Sequence, residues 1–128
     1  MKNYKPENYN SLSPYLLVDE AQKLVDLLKV IFDAKELRRY EDENGRIRHL
    51  ELKIDDTVIM LANSLENYPA NKMMFHVYVD DVFKTFEIAI QNGCEIIEKP
   101  VQKSNDEDVR GGFLDFAGNS WFVATSVS

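Results

Sequence analysis

Two histidines, His49 and His76, stand in this chain of 128 residues. His49 lies in RIRHLELKI (46–54), two places before Glu51. Side chains two apart on a strand share a face, so this spacing sets an imidazole beside a carboxylate. Three chemistries suit the pair: metal ligation, proton exchange near neutral pH, or a self-satisfied polar patch. His76 lies in MMFHVYV (73–79), and Met74 and Tyr78 share its face. Arg110 follows Asp106, Glu107 and Asp108. It either pairs with those carboxylates or clamps an anionic group. Cys94 is the lone cysteine, with no base beside it in sequence, and reads as a small buried hydrophobe. No serine sits in a G-x-S-x-G context.

These residues must be positioned by strands and helices, and the pattern of those elements occurs twice. LSPYLLV (12–18) reads as a strand and DEAQKLVDLLKVIF (19–32) as a helix, with Leu24, Leu27, Leu28, Ile31 and Phe32 at helical spacing. Asp19 is its expected N-cap, with Gln22 completing a capping box. AKELRRYED is extended, and ENGR (43–46) carries the Asn-Gly hairpin signal. RIRHLELKI and TVIMLA (57–62) are strands around an Asp-Asp turn. The second half repeats this βαβββ order. MMFHVYVD (73–80) is a strand, and DVFKTFEIAIQNG (81–93) is a helix with Phe83, Phe86, Ala89 and Ile90 on one face. CEIIEKP (94–100) is extended and ends at Pro100; QKSNDEDVR (102–110) is a polar loop; GGFLDF and SWFVATS are strands. NSLENYPANK (63–72) reads as a polar linker between modules of about 12–62 and 73–126.

One face of each four-stranded sheet must bury against its helix, which leaves the other to line something else. Leu16, Val18, Leu50, Leu52, Ile54, Ile59, Leu61, Phe75, Val77, Trp121 and Val123 are assigned to the helix side. The opposite faces carry Ser13, Tyr15, Leu17, Ile47, His49, Glu51, Lys53, Val58, Met60, Met74, His76, Tyr78 and Phe122. Mostly apolar and aromatic groups with a few polar ones are the makeup of a small-molecule pocket. The same residues could instead bury against another chain.

Composition narrows the function. With 15 basic and 22 acidic residues the net charge is −7, which argues against nucleic acid. No run approaches a membrane span, and the N-terminal residues lack an apolar signal stretch. A cytoplasmic protein is expected.

Taken together, SPYLLVDEAQKLVDLLKVIFDAKEL, GRIRHLELKIDDTVIMLAN, FHVYVDDV and GGFLDFAGNSWFVATS resemble the vicinal oxygen chelate superfamily of glyoxalases, bleomycin resistance proteins and extradiol dioxygenases, in its PhnB-like branch. The resemblance spans about residues 12 to 126. It implies an α+β fold in which two βαβββ modules form one domain over residues 1–128, a curled mixed-sheet half-barrel with helices outside, and a homodimer. It also implies four inward metal-ligand positions, which fall here on Ser13, Met60, Met74 and Phe122. None is an ordinary ligand for a divalent ion. The expectation is therefore a small-molecule-binding protein with no metal cofactor, its ligand contacted by Tyr15, His49, Glu51, Met60, Met74, His76, Tyr78, Arg110 and Phe122. The alternative is a metal-dependent lyase, isomerase or dioxygenase in which His49, Glu51 and His76 hold zinc, nickel or iron.

Overall fold

A computed structural model describes residues 3–127. The chain forms two compact units that divide between Asn71 and Lys72. The first runs β1 (Tyr15–Val18), α1 (Ala21–Phe32), β2 (Lys35–Glu41), β3 (Ile47–Ile54) and β4 (Thr57–Asn63). Its sheet has the order β1-β4-β3-β2, with β1 parallel to β4 and the other pairs antiparallel. The apolar stripe Ala21, Leu24, Val25, Leu28 and Ile31 is buried. It meets the face bearing Leu16, Val18, Leu50, Leu52 and Leu61, none more than 2% exposed. Each such leucine contributes about 1.5–3 kcal/mol on leaving water.

The turns follow their residues. Gly45 adopts φ +80°, and the Asp42 carboxylate accepts from the backbone N–H groups of Asn44 and Arg46, closing the Asn-Gly hairpin. Asp55 takes φ +52° in the turn before β4. The expected capping box at α1 is not formed. Glu20 is the N-cap and has no side-chain bond, because Ser64 donates to the Asp19 carboxylate while the Asn63 amide takes the Asp19 carbonyl. Asp19 ties the helix entrance to the end of β4 instead. The segment before β1 is also tied down. Asn10 accepts from the Val58 N–H at 2.8 Å, and Tyr9 donates its hydroxyl to Glu51.

The second unit repeats the order: β5 (Met74–Tyr78), α2 (Val82–Gln91), β6 (Glu95–Val101), β7 (Asp108–Leu114) and β8 (Ser120–Ser126), in sheet order β5-β8-β7-β6. Asp81 caps α2 by accepting from the Lys84 N–H, and Gly93 ends it at φ +95°. Phe83 does not face the core. The buried stripe is Val82, Thr85, Phe86 and Ala89, and Phe83 lies off it at 59% exposure. Asp108, Val109 and Arg110 belong to β7 and not to a loop, since they pair with Ser126, Thr125 and Ala124. Pro100 lies inside β6 and does not end it. This strand is at the sheet edge, where a missing N–H is tolerated. Gly112 leaves room for the Phe122 ring, whose nearest atom would lie 2.8 Å from a Cβ at that position.

The tightest polar knot in this unit surrounds Asp115, which is 3% exposed. Its carboxylate accepts from the Ala117 and Asn119 N–H groups, the Asn119 amide and the indole N–H of Trp121 at 2.9 Å. Removing it strands several buried donors, each worth about 1–3 kcal/mol when unsatisfied. Asp115→Ala is therefore expected to lower stability by about 3 kcal/mol. Urea unfolding read by the fluorescence of Trp121, the only tryptophan, checks this. An unchanged midpoint would contradict it.

Candidate functional site

In the first unit, strand register sets out the face that α1 leaves open. Tyr15, Met60 and Glu51 form one row across β1, β4 and β3. Leu17 and Ala62 begin the next, and the same register continued by one step sets His49 beside Ala62. Ala62 is small. The Tyr15 side chain therefore crosses β4 diagonally and places its hydroxyl 2.9 Å from His49 Nδ1. His49 Nε2 lies 2.9 Å from Glu51 Oε2, and Tyr9 donates to Glu51 Oε1. Tyr15, His49, Glu51 and Tyr9 thus form one continuous chain of hydrogen bonds. Tyr40 flanks His49 with its ring centroid 6.1 Å away, and Arg38 lies over the Tyr9 ring.

The electrostatics fix where the protons sit. Burial pushes the Glu51 carboxyl up, but the bonds from Tyr9 and His49, with the electrostatic pull of His49 and Arg38, outweigh it and hold the group below the usual carboxylate range. An ionised carboxylate only accepts, so both neighbours donate to it. His49 therefore presents an N–H from Nε2 to Glu51, and when the ring carries no second proton its Nδ1 accepts from Tyr15. Burial, followed by the nearby Glu51 charge, raises the Tyr15 phenol. Burial and the bond to Glu51 raise that of Tyr9.

A cavity of about 620 Å³ opens beside this chain. Tyr15, Leu17, Ile47 and Ala62 line it from the sheet; Leu65, Tyr68 and Asn71 line it from the segment after β4. Asp42, Arg46, Arg48 and Asn63 complete the lining. Both asparagines are committed to backbone. Asn71 holds Leu17 N–H and the Tyr15 carbonyl; Asn63 holds Ile47 N–H and the Asp19 carbonyl.

In the second unit, His76, Tyr78 and Arg110 are brought together. The Arg110 guanidinium bonds Asp106 at 2.9 Å, Asp108 at 2.6 Å and His76 Nε2 at 2.6 Å. Arginine only donates, so His76 Nε2 accepts. Tyr78 donates to Asp108, and that bond raises its phenol. Of the two roles weighed for Arg110, pairing with the acidic run is the one formed. Met74 is 74% exposed, and Phe122 packs over Gly112. Cys94 is buried and its thiol is pushed up to about 11 by that burial, which keeps it protonated and inert at neutral pH.

The donors present do not fit a divalent ion. The four positions implied by resemblance hold a hydroxyl that accepts from Asn10, two thioethers and a phenyl ring. In the alternative set, both nitrogens of His49 and both oxygens of Glu51 are engaged by protein groups. His76 Nε2 is engaged by Arg110. Among the described residues no three His, Cys, Asp or Glu side chains gather as ligands.

Several lining residues escape a reading by sequence. Leu65, Tyr68 and Asn71 sit in what reads as a linker, and the bridge between Leu65 and Tyr68 and the bonds of Asn71 to Leu17 and Tyr15 show that it is structured. Tyr9 carries no local signal at all. Among the described residues no helix is long and apolar enough to cross a membrane.

Comparison with known proteins agrees with this geometry. An uncharacterised protein of Mycobacterium bovis is 30% identical over 91% of this chain and 84% of its own length. Among solved structures, TioX from Micromonospora sp. ML1 superposes with a TM-score of 0.76 at 21% identity, covering 92% of this chain and 99% of that one. The PhnB protein from Bacillus cereus, titled a putative 3-demethylubiquinone-9 3-methyltransferase, gives 0.69 at 17% identity over 91% and 100%. These two show the shared glyoxalase-like fold of curled mixed sheets. Residues 10–122 match the Glyoxalase/Bleomycin resistance protein/Dioxygenase superfamily, and the chain belongs to it.

Proposed function

We propose that the first unit binds a small, largely apolar organic molecule on the open face of its sheet, without a divalent metal. The observation that carries this reading is the cavity of about 620 Å³ lined in part by Tyr15. Its volume lies within the range of about 300–1,000 Å³ usual for small-molecule sites. Its walls are mainly aliphatic and aromatic, and Tyr15 supplies a convergent polar group. Arg46 and Arg48, against the single carboxylate of Asp42, favour a neutral or acidic molecule. Of the residues expected to contact a ligand, Tyr15 lines this cavity and His49 and Glu51 support it. The second unit's His76, Tyr78 and Arg110 satisfy one another and Asp108, which suits a structural network better than a ligand site.

A thermal-shift screen of small aromatics and organic acids tests the reading. A true ligand at a hundred times its dissociation constant stabilises the fold by about 2.7 kcal/mol. Leu17→Trp fills the cavity from an incompletely buried position and is expected to abolish that shift while leaving the ligand-free midpoint nearly unchanged. A ligand whose effect survives Leu17→Trp binds elsewhere and sinks the proposal.

The Glu51 chain also predicts a pH dependence. Its folded-state pKa is depressed, so its stabilisation is present above the ordinary carboxylate range and is lost as pH falls through the folded value. Glu51→Gln should therefore be less stable than wild type by about 1–3 kcal/mol at neutral pH. The gap should narrow below about pH 4. Urea midpoints across that range decide it, and a gap independent of pH would contradict the assignment.

A further inference from the structure

We propose that Tyr15 is an acid–base catalytic residue that takes the proton of an acidic hydroxyl, a phenol or an enol, on a molecule held in the first unit's cavity, and passes its own proton to His49. This deepens the binding reading above and rests on it. The order hydroxyl–imidazole–carboxylate is the arrangement by which proteins activate a hydroxyl group: one nitrogen of the imidazole faces the hydroxyl, and the carboxylate orients the other. Here both contacts are 2.9 Å. The hydroxyl belongs to a residue that lines the cavity. Tyr15 is 38% exposed and Glu51 3%, so the phenol residue reaches the surface while the carboxylate behind it is sheltered.

The direction of the resting bonds decides what Tyr15 can offer. With the His49 ring neutral, the Tyr15 proton goes to Nδ1, which leaves the lone pairs of the phenol oxygen to accept from a ligand. When a ligand hydroxyl donates there, its proton moves to the Tyr15 oxygen as the Tyr15 proton moves to Nδ1. The ligand O–H bond breaks and the His49 N–H bond forms; Tyr15 ends neutral, with its new O–H directed at the ligand oxyanion. No electron pair leaves the system and no co-reactant is needed. His49 becomes an imidazolium whose Nε2–H still meets the Glu51 carboxylate. The other groups around the pair are Tyr40 beside His49, and Tyr9 and Arg38 beside Glu51. Tyr9 already donates to the second carboxylate oxygen, so Glu51 has no competing proton source to take up. Run in reverse, the same chain returns the proton and acts as an acid.

Nitrophenols report this step directly, because their ionised and neutral forms absorb differently. Wild-type protein is titrated with a series of substituted nitrophenols. Binding is read by calorimetry and ionisation by absorbance across pH. The expected result is binding that Leu17→Trp removes, with the ionisation constant of the bound phenol raised at least about tenfold over that in water. Tyr15→Phe keeps the ring, and His49→Gln keeps a polar side chain that takes up no proton. Both are expected to weaken binding and, for the phenol that still binds at saturating concentration, to return its ionisation to the value in water. A purely structural chain would not move that readout. Binding to wild type with ionisation as in water, or a raised constant that persists in His49→Gln, overturns the proposal and leaves the binding reading standing. No binding across the series, or binding that Leu17→Trp does not affect, overturns both.

Discussion

A carboxylate buried on the open side of a sheet constrains everything around it. Glu51 sits in β3 on the face turned away from α1, and yet it is 3% exposed. An isolated charge in that position would be expelled or neutralised. It stays ionised because Tyr9 and His49 each bring a donor. Those two bonds reach in different directions. The first binds the segment before β1 to the sheet. The second fixes the imidazole tautomer, and through it the direction of the Tyr15 hydroxyl at the cavity. Removing the charge would loosen the entrance to the fold and the wall of the site together.

The alternation of strand residues made much of this legible. RIRHLELKI separates Leu50, Leu52 and Ile54 from His49 and Glu51 by period alone, and burial follows that division for the leucines and isoleucine. The same rule assigned Trp121 and Val123 to the core and left Met74 and Tyr78 outside it. Two repeats of one element order were enough for the architecture, since each sheet has one helix to bury against.

What remained hidden depends on strand order or on contacts distant in sequence. Tyr15 and His49 are 34 residues apart and on strands that are not neighbours. Their meeting requires β1 and β3 to flank β4, and a residue as small as Ala62 between them. No local pattern announces that. Tyr9 meets Glu51 from 42 positions away. Asp19 had the right type and place for an N-cap, but Ser64 offered a hydroxyl and won the carboxylate. Phe83 was misassigned because four apolar residues along one helix allow two stripes, and only the sheet behind α2 chooses between them.

The two units resemble each other in element order and differ in what their histidines face. In the second, the partner of His76 is a guanidinium, which fills the Nε2 lone pair and is itself held by two aspartates. In that set each nitrogen of the guanidinium meets an acceptor within the network. In the first, the carboxylate stands behind the imidazole and a hydroxyl stands in front, with the cavity beyond it. The hydroxyl oxygen is left able to accept once more. An open lone pair beside an apolar cavity, backed by a sheltered charge, is what separates a site from a salt bridge. By that criterion the chemistry proposed for this chain belongs to its first sheet.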